Sequence, residues 1–354
     1  MPKALSVYLG AEAAREIKAH GWAPELFGTL LGASGGPKWF VLRYLDEVLF
    51  GDFLQRTDRP LSTLGSSIGT WRHACLAMAD PTAAVARLEA GYLYQRYETR
   101  PSVRDVSEVS MRIIESVLGE DGGEHLAMHP RIQSHIVTAR GKGLTGHASG
   151  AGLALGMGAA ALGNMVGRTS LERAFQRVVF HSGAKPSQPF HFDDFETHHA
   201  SIAPGDVKRA LAASGAIPFV LAGERDIPNA PGGHYWDGGI IDYHFDLTRY
   251  AGDGLLLYPH FSATVITGWF DKFLPWRKSR YDNVDRLVLL CPSDEFIASL
   301  PHGKIPDRSD FTRMGEDERI AYWEKCVARS CEVAEGFVAL IEGNDPLAGA
   351  TVFG

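Results

Sequence analysis

Two glycine-flanked serines are the residues of this sequence best suited to nucleophilic chemistry. One G-x-S-x-G pentad, GASGG, spans residues 32–36 around Ser34, and a second, GSSIG, spans residues 65–69 around Ser67. A nucleophile elbow holds a serine on a sharp turn between a strand and a helix, where small neighbours relieve the strained backbone. Each pentad therefore predicts a serine at the C-terminal end of a strand, and only the surrounding sequence separates the two.

The flanking residues favour Ser67 as the nucleophile. Strands are predicted over residues 26–31 and 61–64, so both pentads follow a strand, and a largely apolar helix over 68–78 follows GSSIG. An elbow also needs an oxyanion donor from an earlier loop. GASGGPK supplies such a loop upstream of Ser67, whereas only isolated glycines precede Ser34. GSSIG is thus predicted to be the elbow, with Gly65 and Gly69 as its small residues.

GASGGPK is predicted to be an oxyanion loop. Gly35 and Gly36 offer flexible backbone N–H groups at a helix N-terminus, and Lys38 adds positive potential nearby. A phosphate-binding loop would need glycine in place of Pro37 and Ser or Thr in place of Trp39. A plain strand-to-helix turn is the alternative that the sequence leaves open.

A serine hydroxyl also needs a base, and three candidates lie downstream of Ser67. Asp237 ends a short apolar strand and precedes two glycines in HYWDGG. A full triad would instead use one of three histidines, His244, His260 and His302. The stretch HFDDFETHH could suggest a metal site with His191, Asp193, Asp194, His198 and His199. Its histidines lack the i, i+4 spacing around a base, so a solvated acidic loop without metal is predicted there.

Four motifs in order, GGPK, GSSIG, SGAIPF and DGG, make the chain similar to the patatin-like phospholipase family over about residues 27–242. The resemblance implies a serine lipid acyl hydrolase of phospholipase A or lysophospholipase type. Ser67 would be the nucleophile, and Asp237 its base without a histidine. Gly35, Gly36 and Lys38 would form the oxyanion loop, and SGAIPF would shape the pocket.

The chain departs from the family pattern at the pocket wall. Trp39 follows the basic residue where glycine is usual, and Tyr243 and Phe245 follow DGG where Asn and Pro are common. Two other functions stay open: a general carboxylesterase or thioesterase with a histidine triad, and a non-catalytic lipid-binding protein on the same fold. The head group, acyl position and chain length are not defined by the motifs.

Short apolar runs alternate with helical periodicity along the chain, which predicts an α/β fold with a mostly parallel central sheet and helices on both faces. With the resemblance, this indicates a three-layer α/β/α patatin-like fold and additional C-terminal helices. One domain is predicted over residues 1–354, with the motifs in a core of about 26–245 and a C-terminal extension of about 246–354. One long helix is predicted over residues 317–341.

The amino-acid composition limits which ligands, partners and cellular locations are expected for this protein. The 354 residues carry a net charge of −7 and no long basic run, which argues against nucleic-acid binding. The four cysteines form no C-x-x-C pair and are predicted to be reduced thiols. Charged residues interrupt the N-terminus before any signal-peptide core, so a cytoplasmic location is predicted. No motif for a cofactor is found, and none is predicted.

Two segments raise the question of membranes. Residues 148–167 are uncharged but rich in Gly and Ala, which predicts close helix packing through Gly152, Gly156 and Ala160, or a mobile flap, rather than a membrane span. ITGWFDKFLPWRKSRY favours core packing with a basic rim. Its alternative is peripheral membrane contact through the aromatic and basic residues Trp269, Phe270, Phe273, Trp276, Arg277 and Lys278.

Overall fold

An eleven-stranded mixed sheet organises the protein. The computed structural model describes residues 4–97, 101–183, 187–277, 281 and 284–353. The strands are β1 (Leu5–Leu9), β2 (Phe27–Gly32), β3 (Leu61–Ser66), β4 (Ile132–Gly141), β5 (Phe175–His181), β6 (Thr197–Ser201), β7 (Glu224–Arg225), β8 (His234–Asp237), β9 (Leu255–Pro259), β10 (Leu287–Pro292) and β11 (Ala350–Val352).

Helices flank this sheet. The described α-helices are α1 (Ala11–His20), α2 (Arg43–Gly51), α3 (Ile68–Leu76), α4 (Pro81–Leu93), α5 (Val103–Leu118), α6 (Gly122–Ala127), α7 (Gly150–Val166), α8 (Val207–Ser214), α9 (Asp294–Ser299), α10 (Asp310–Arg313), α11 (Glu316–Arg329) and α12 (Cys331–Glu342). Short 3₁₀ helices include Gly36–Leu42, Trp269–Phe273 and Pro275–Arg277.

The strand order confirms the predicted α/β class. It runs β11-β1-β10-β9-β2-β3-β4-β5-β6, and β8 pairs with the end of β4. The central neighbours β10, β9, β2, β3 and β4 are parallel to one another. Every residue of β10 is buried, as expected of a parallel strand covered on both faces. The three-layer α/β/α arrangement with a mostly parallel sheet was therefore predictable from the alternating pattern.

The C-terminal extension is built into this sheet. Residues 246–354 supply β9, β10 and β11, and β9 lies directly beside β2. The extension also contributes the additional helices α9 to α12. Its last helices pack beside the N-terminal part of the chain, because α12 contacts α2 and β1 while α11 contacts the 3₁₀ helix Gly36–Leu42.

The prediction of a single helix over residues 317–341 is wrong, because the helix is interrupted at Ser330. Helix α11 ends at Arg329 and α12 begins at Cys331. The buried Ser330 hydroxyl donates to the Val327 carbonyl at 2.8 Å, and the Tyr44 backbone N–H approaches the same hydroxyl at 3.4 Å. A serine that hydrogen-bonds its own helix backbone bends or ends the helix, which accounts for two helices in place of one.

Helix α7 occupies the uncharged segment and packs closely at only part of the predicted stripe. A Cβ at Gly156 would lie 2.8 Å from the Thr145 backbone nitrogen, so Gly156 is required for this contact. Ala160 is buried, whereas Gly152 has room for a Cβ because the nearest atoms belong to the His147 ring at 3.5 Å. Among the described residues, no helix is long and apolar enough to cross a membrane.

Two basic residues of the aromatic segment after Gly268, Lys272 and Arg277, do not lie on the basic rim that the sequence predicts. Phe270 is buried, and Arg277 hydrogen-bonds Asn164 at 3.2 Å and pairs with the buried Asp271 carboxylate at 3.3 Å. Lys272 turns inward and lies 3.6 Å above the Tyr243 ring. Trp269 packs against a hydrophobic cluster that includes Leu153, Met157 and Phe270. Lys278 and Arg280 lie outside the described residues, so the rest of the rim stays a prediction.

Two aromatic residues of the same segment do face outward. Phe273 and Trp276 are exposed, at 72% and 67% respectively. The 3₁₀ helix that ends at Phe273 packs against α7, whose Asn164 donates to the Asp271 carboxylate at 2.7 Å. Helix α7 has exposed apolar residues of its own, namely Leu155, Leu162, Met165 and Val166. We call the exposed pair Phe273 and Trp276 the apolar face.

Candidate active site

Ser67 occupies a strained turn between β3 and α3. Its φ of 53° and ψ of −131° put a non-glycine residue in the positive-φ region, as expected of a nucleophile elbow. The glycines of GSSIG permit the close packing of the turn. A Cβ at Gly69 would lie 2.1 Å from the Gly32 carbonyl oxygen, and a Cβ at Gly65 would lie 3.0 Å from the Gly69 carbonyl carbon.

Strand β4 brings Ser67 and Asp237 together. The last residue of β3, Ser66, is in register with Val137, and Asp237 at the end of β8 is in register with Thr138. Ser67, which follows Ser66, and Asp237 therefore lie beside neighbouring residues of β4, and this brings their side chains together. The Ser67 Oγ donates a hydrogen bond to the Asp237 Oδ2 at 2.8 Å.

The Asp237 carboxyl group is held in position and out of water. Its Oδ1 accepts the Gly239 backbone N–H at 2.7 Å. Burial raises the pKa of Asp237 above its ordinary value, although the positive charge of Arg308 and the hydrogen bond from Ser67 act in the opposite direction. A carboxylate of raised pKa is a stronger base, which suits it to accept the proton of a serine hydroxyl.

The SGAIPF block holds the backbone on both sides of this pair. The Ser67 N–H donates to the Ser214 Oγ at 3.0 Å, and Ser214 in turn donates to the Val137 carbonyl at 2.7 Å. The Asp237 N–H donates to the Ala216 carbonyl at 2.8 Å. The sequence predicts only that SGAIPF shapes the pocket. The position of this block among the four motifs does not indicate its hydrogen bonds to the backbone of Ser67 and Asp237.

Ser34 is a structural residue in the described structure. It is buried, its Oγ hydrogen-bonds the Ser66 Oγ at 2.8 Å, and its N–H donates to the Tyr243 carbonyl at 2.8 Å. Ser66 continues the chain of hydrogen bonds to the Asp242 carbonyl at 2.6 Å. The first pentad therefore ties β2 and β3 to the loop that follows Asp237.

The predicted oxyanion loop is split between two environments. Gly36 lines the same cavity as Ser67, and its φ of +57° is a conformation that favours glycine. Gly35 instead packs against Phe261, since a Cβ there would lie 2.7 Å from the ring. The Lys38 ammonium lies 5.0 Å from the centre of the Phe261 ring, and burial lowers the pKa of Lys38.

A largely apolar cavity of about 720 Å³ opens beside Ser67. This volume lies within the range of cavities that bury most of a small ligand. Helices α4 and α5 form one side, and both begin at capped N-termini, with Asp80 accepting the Ala83 N–H and Ser102 forming a capping box with Asp105. The apolar wall includes Ile68, Trp71, Val106, Ile217, Leu221, Phe311 and Met314.

The three predicted triad histidines are not brought to Ser67. Within the described parts of the chain, no histidine lines the cavity. The His244 Nδ1 accepts the Ile266 N–H at 2.9 Å, and burial lowers the pKa of His260 to about 3. His302 lies edge-on to the Tyr322 ring. Asp237 is therefore the described residue positioned to act as the base.

The HFDDFETHH segment is not a solvated acidic loop throughout. Asp194 is largely buried and pairs with Arg177 at 2.7 Å and with Arg168 at 3.2 Å. Arg177 also pairs with Asp242 at 2.6 Å. Arg168 and Arg177, which pair with the Asp194 carboxylate, lie on other elements of the fold. The local sequence around Asp194 could not predict these ion pairs. No group of three His, Cys, Asp or Glu residues suited to a metal occurs among the described residues.

The C-terminal extension supplies a charged residue that the motifs did not predict. Arg308 lines the cavity, and its Nη2 lies 4.0 Å from the Asp237 Oδ2. Phe311, Met314 and Arg319 of the same extension also line the cavity. No motif marks these positions, because their role follows from how the extension folds back over the elbow.

Comparison with known proteins adds no family assignment. No protein-family model matches this chain, and a search of curated proteins gives no significant match. Function must therefore be inferred from the geometry of Ser67, Asp237 and the cavity.

Proposed function

We propose that the protein is a serine lipid acyl hydrolase, of patatin-like phospholipase A or lysophospholipase type. The observation that carries the proposal is the 2.8 Å hydrogen bond from Ser67 to the buried Asp237 carboxylate, made on a strained strand-to-helix turn at an apolar cavity. A nucleophile needs a base within hydrogen-bond reach, and this pair meets that requirement without a histidine.

In the proposed reaction, the Asp237 Oδ2 accepts the Ser67 proton while Oγ attacks the ester carbonyl carbon. The backbone N–H of Gly36, which lines the cavity with Ser67, donates to the developing oxyanion. The tetrahedral intermediate collapses to an acyl-enzyme on Ser67, and Asp237 returns its proton to the departing alcohol oxygen. Water then attacks the acyl carbonyl, the same carboxylate takes its proton, and the fatty acid leaves as Ser67 is reprotonated.

The walls of the cavity support a fatty acyl substrate. Trp71, Phe311 and Met314 lie among its lining residues, together with aliphatic side chains. An acyl chain that leaves water for such a surface gains about 25 cal/mol for each Å² of apolar area buried. The order of the GGPK, GSSIG, SGAIPF and DGG motifs, similar to that of patatin-like phospholipases, supports the same substrate class.

The proposal includes peripheral contact with a membrane through the apolar face. Phe273 and Trp276 are both exposed. Exposed aromatic residues of this kind insert at the boundary between lipid head groups and acyl chains. The enzyme would work in the cytoplasm, where the free thiols Cys75, Cys291, Cys326 and Cys331 stay reduced.

The cavity favours one alternative function, a lipid-binding protein without turnover. Its apolar walls would hold a fatty acyl chain whether or not Ser67 reacts. Tight binding of a fatty acid with no Ser67-dependent hydrolysis would favour this alternative.

Hydrolysis of a soluble short-chain ester and of a lysophospholipid by purified variants tests the proposal. Ser67→Ala and Asp237→Asn are expected to lose at least about 1000-fold in kcat, because each removes half of the reacting pair. Ser34→Ala is the matched control and is expected to keep activity within about tenfold. Full activity in Ser67→Ala would reject the proposed function.

A further inference from the structure

Arg308 carries an unassigned positive charge into the active-site cavity. Its side chain is 41% exposed, and its Nη2 lies 4.0 Å from the Asp237 Oδ2. A Cβ built on Gly36 would lie 3.0 Å from the Arg308 Nε, so the guanidinium also faces the oxyanion loop. The group is therefore accessible to a ligand and adjoins both Asp237 and Gly36.

The segment that carries Arg308 is held firmly by buried contacts. The fully buried Asp310 carboxylate accepts the Trp323 Nε1–H at 3.0 Å and the Asp307 N–H at 2.9 Å, and it pairs with Lys304. The Tyr322 hydroxyl donates to the Lys304 carbonyl at 2.6 Å. A preorganised loop of this kind lowers the entropic cost of holding a substrate group in place.

Basic side chains outnumber carboxylates around Asp237. Lys38, Lys272 and Arg308 interact electrostatically with one another, and the carboxylates of Asp237 and Asp307 are the anions among them. Asp307 already accepts the Ser309 N–H at 2.7 Å. Burial, together with repulsion from Lys38 and Arg308, lowers the pKa of Lys272 to about 7. A bound anion would relieve this repulsion.

We propose that Arg308 binds an anionic group on the alcohol side of the ester, which makes it a specificity-determining residue for the reaction proposed above. A guanidinium binds a carboxylate or a phosphate through two parallel N–H donors. The inference rests on the proposed function, in which Asp237 returns its proton to the departing alcohol oxygen. The alcohol therefore lies near Asp237, and the Arg308 Nη2 is 4.0 Å from the Asp237 Oδ2.

The position of Arg308 limits the length of the spacer between ester and anion. The Arg308 Nη2 is 4.0 Å from the Asp237 Oδ2, which is itself 2.8 Å from the Ser67 Oγ. The anion must therefore sit within a few bonds of the scissile ester. The substrate class is an acyl ester of a small alcohol that carries a phosphate or carboxylate close to its hydroxyl.

Three esters with the same acyl chain test this inference. They are an uncharged monoacylglycerol, a 1-acylglycerol 3-phosphate and an O-acyl 2-hydroxycarboxylate. The wild-type protein is expected to prefer an anionic ester, and whichever of the two is hydrolysed better identifies the anion. Arg308→Gln is expected to lose about 10- to 100-fold in kcat/KM on that ester, mainly through KM, and several-fold less on the uncharged ester.

Two further variants complete the experiment. Arg308→Lys keeps the charge but not the bidentate fork, so it is expected to recover only part of the loss. Arg313→Gln removes the same charge from the exposed end of α10 and is the matched control, expected to behave as wild type.

Two results would overturn the inference while leaving the hydrolase intact. They are an equal loss on charged and uncharged esters in Arg308→Gln, and a wild-type protein that shows no preference for an anion. Absence of Ser67-dependent turnover on all three esters would instead reject the proposed function itself.

Discussion

At the scale of residues, the chemistry proposed here depends on a carboxylate that is kept from water. Burial raises the pKa of Asp237, and only its ionised form can take the proton of Ser67. The cationic surroundings limit this rise without abolishing it. The same environment that destabilises the charge of Asp237 therefore makes it a stronger base than an exposed aspartate.

The first prediction concerns the pH dependence of kcat/KM. A raised pKa keeps Asp237 protonated, and hence inactive, up to a higher pH than an ordinary aspartic acid of pKa 3.8. Activity is expected to fall as the pH drops through this raised value. Arg308→Gln is expected to move the fall to higher pH, because the positive charge of Arg308 lowers the pKa of Asp237. An acid limb at or below pH 3.8 in the wild type would contradict this prediction.

The second prediction concerns Gly36. Its φ of +57° disfavours any side chain, and a Cβ would meet the Tyr92 hydroxyl and the Arg308 Nε at 3.0 Å. Gly36→Val is expected to lower kcat by about 100-fold or more, because it displaces an oxyanion donor. The matched control is Gly205→Val, where a Cβ would meet no atom within 4 Å. Equal kcat values for the two variants would contradict the assignment of Gly36 as an oxyanion donor.

At the scale of elements, the elbow depends on close contact between α3 and its neighbouring strand β2. Gly69→Ala would place a Cβ 2.1 Å from the Gly32 carbonyl oxygen and is expected to lower the free energy of unfolding by about 1–3 kcal/mol. Gly158→Ala on α7 meets no atom within 4 Å, so it is expected to stabilise the protein by about 0.5–1 kcal/mol. Urea unfolding measures both, and a neutral Gly69→Ala would disprove the packing role.

The same scale shows how far local sequence could predict the site. The strand, glycine and helix signals around GSSIG are local, and so the β3–α3 turn could be predicted from them. The helix break at Ser330 depends on the hydrogen bond that its hydroxyl donates to the Val327 carbonyl. Hydrophobic periodicity does not report such a bond, so it predicted one continuous helix. Asp194 is buried because Arg177 and Arg168 come from other elements. Arg308 lines the cavity because of the tertiary packing of the C-terminal extension. The sequence around Arg308 contains no motif that predicts this position.

At the scale of the whole molecule, the apolar face predicts how the proposed hydrolase would contact a membrane that contains its substrate. Phe273→Ser combined with Trp276→Ser is expected to lower the hydrolysis rate of phospholipid in liposomes by about tenfold or more. The rate on a soluble short-chain ester should change by less than about twofold, because neither residue lines the cavity described beside Ser67. Liposome flotation measures the binding itself.

A control separates docking from a general loss of apolar surface. Met128, at the end of α6, is also exposed, and Met128→Ser is expected to leave both activities unchanged. An equal fall on liposomes and on the soluble ester in the double variant would argue against membrane contact through Phe273 and Trp276.

The central claim is that Ser67 is a nucleophile activated by Asp237, and reaction with a fluorophosphonate probe tests it most directly. Peptide mass spectrometry of the labelled protein is expected to place the adduct on Ser67, and the adduct should be lost or strongly slowed in Asp237→Asn. An adduct on Ser34, or no adduct on any serine, would contradict the claim.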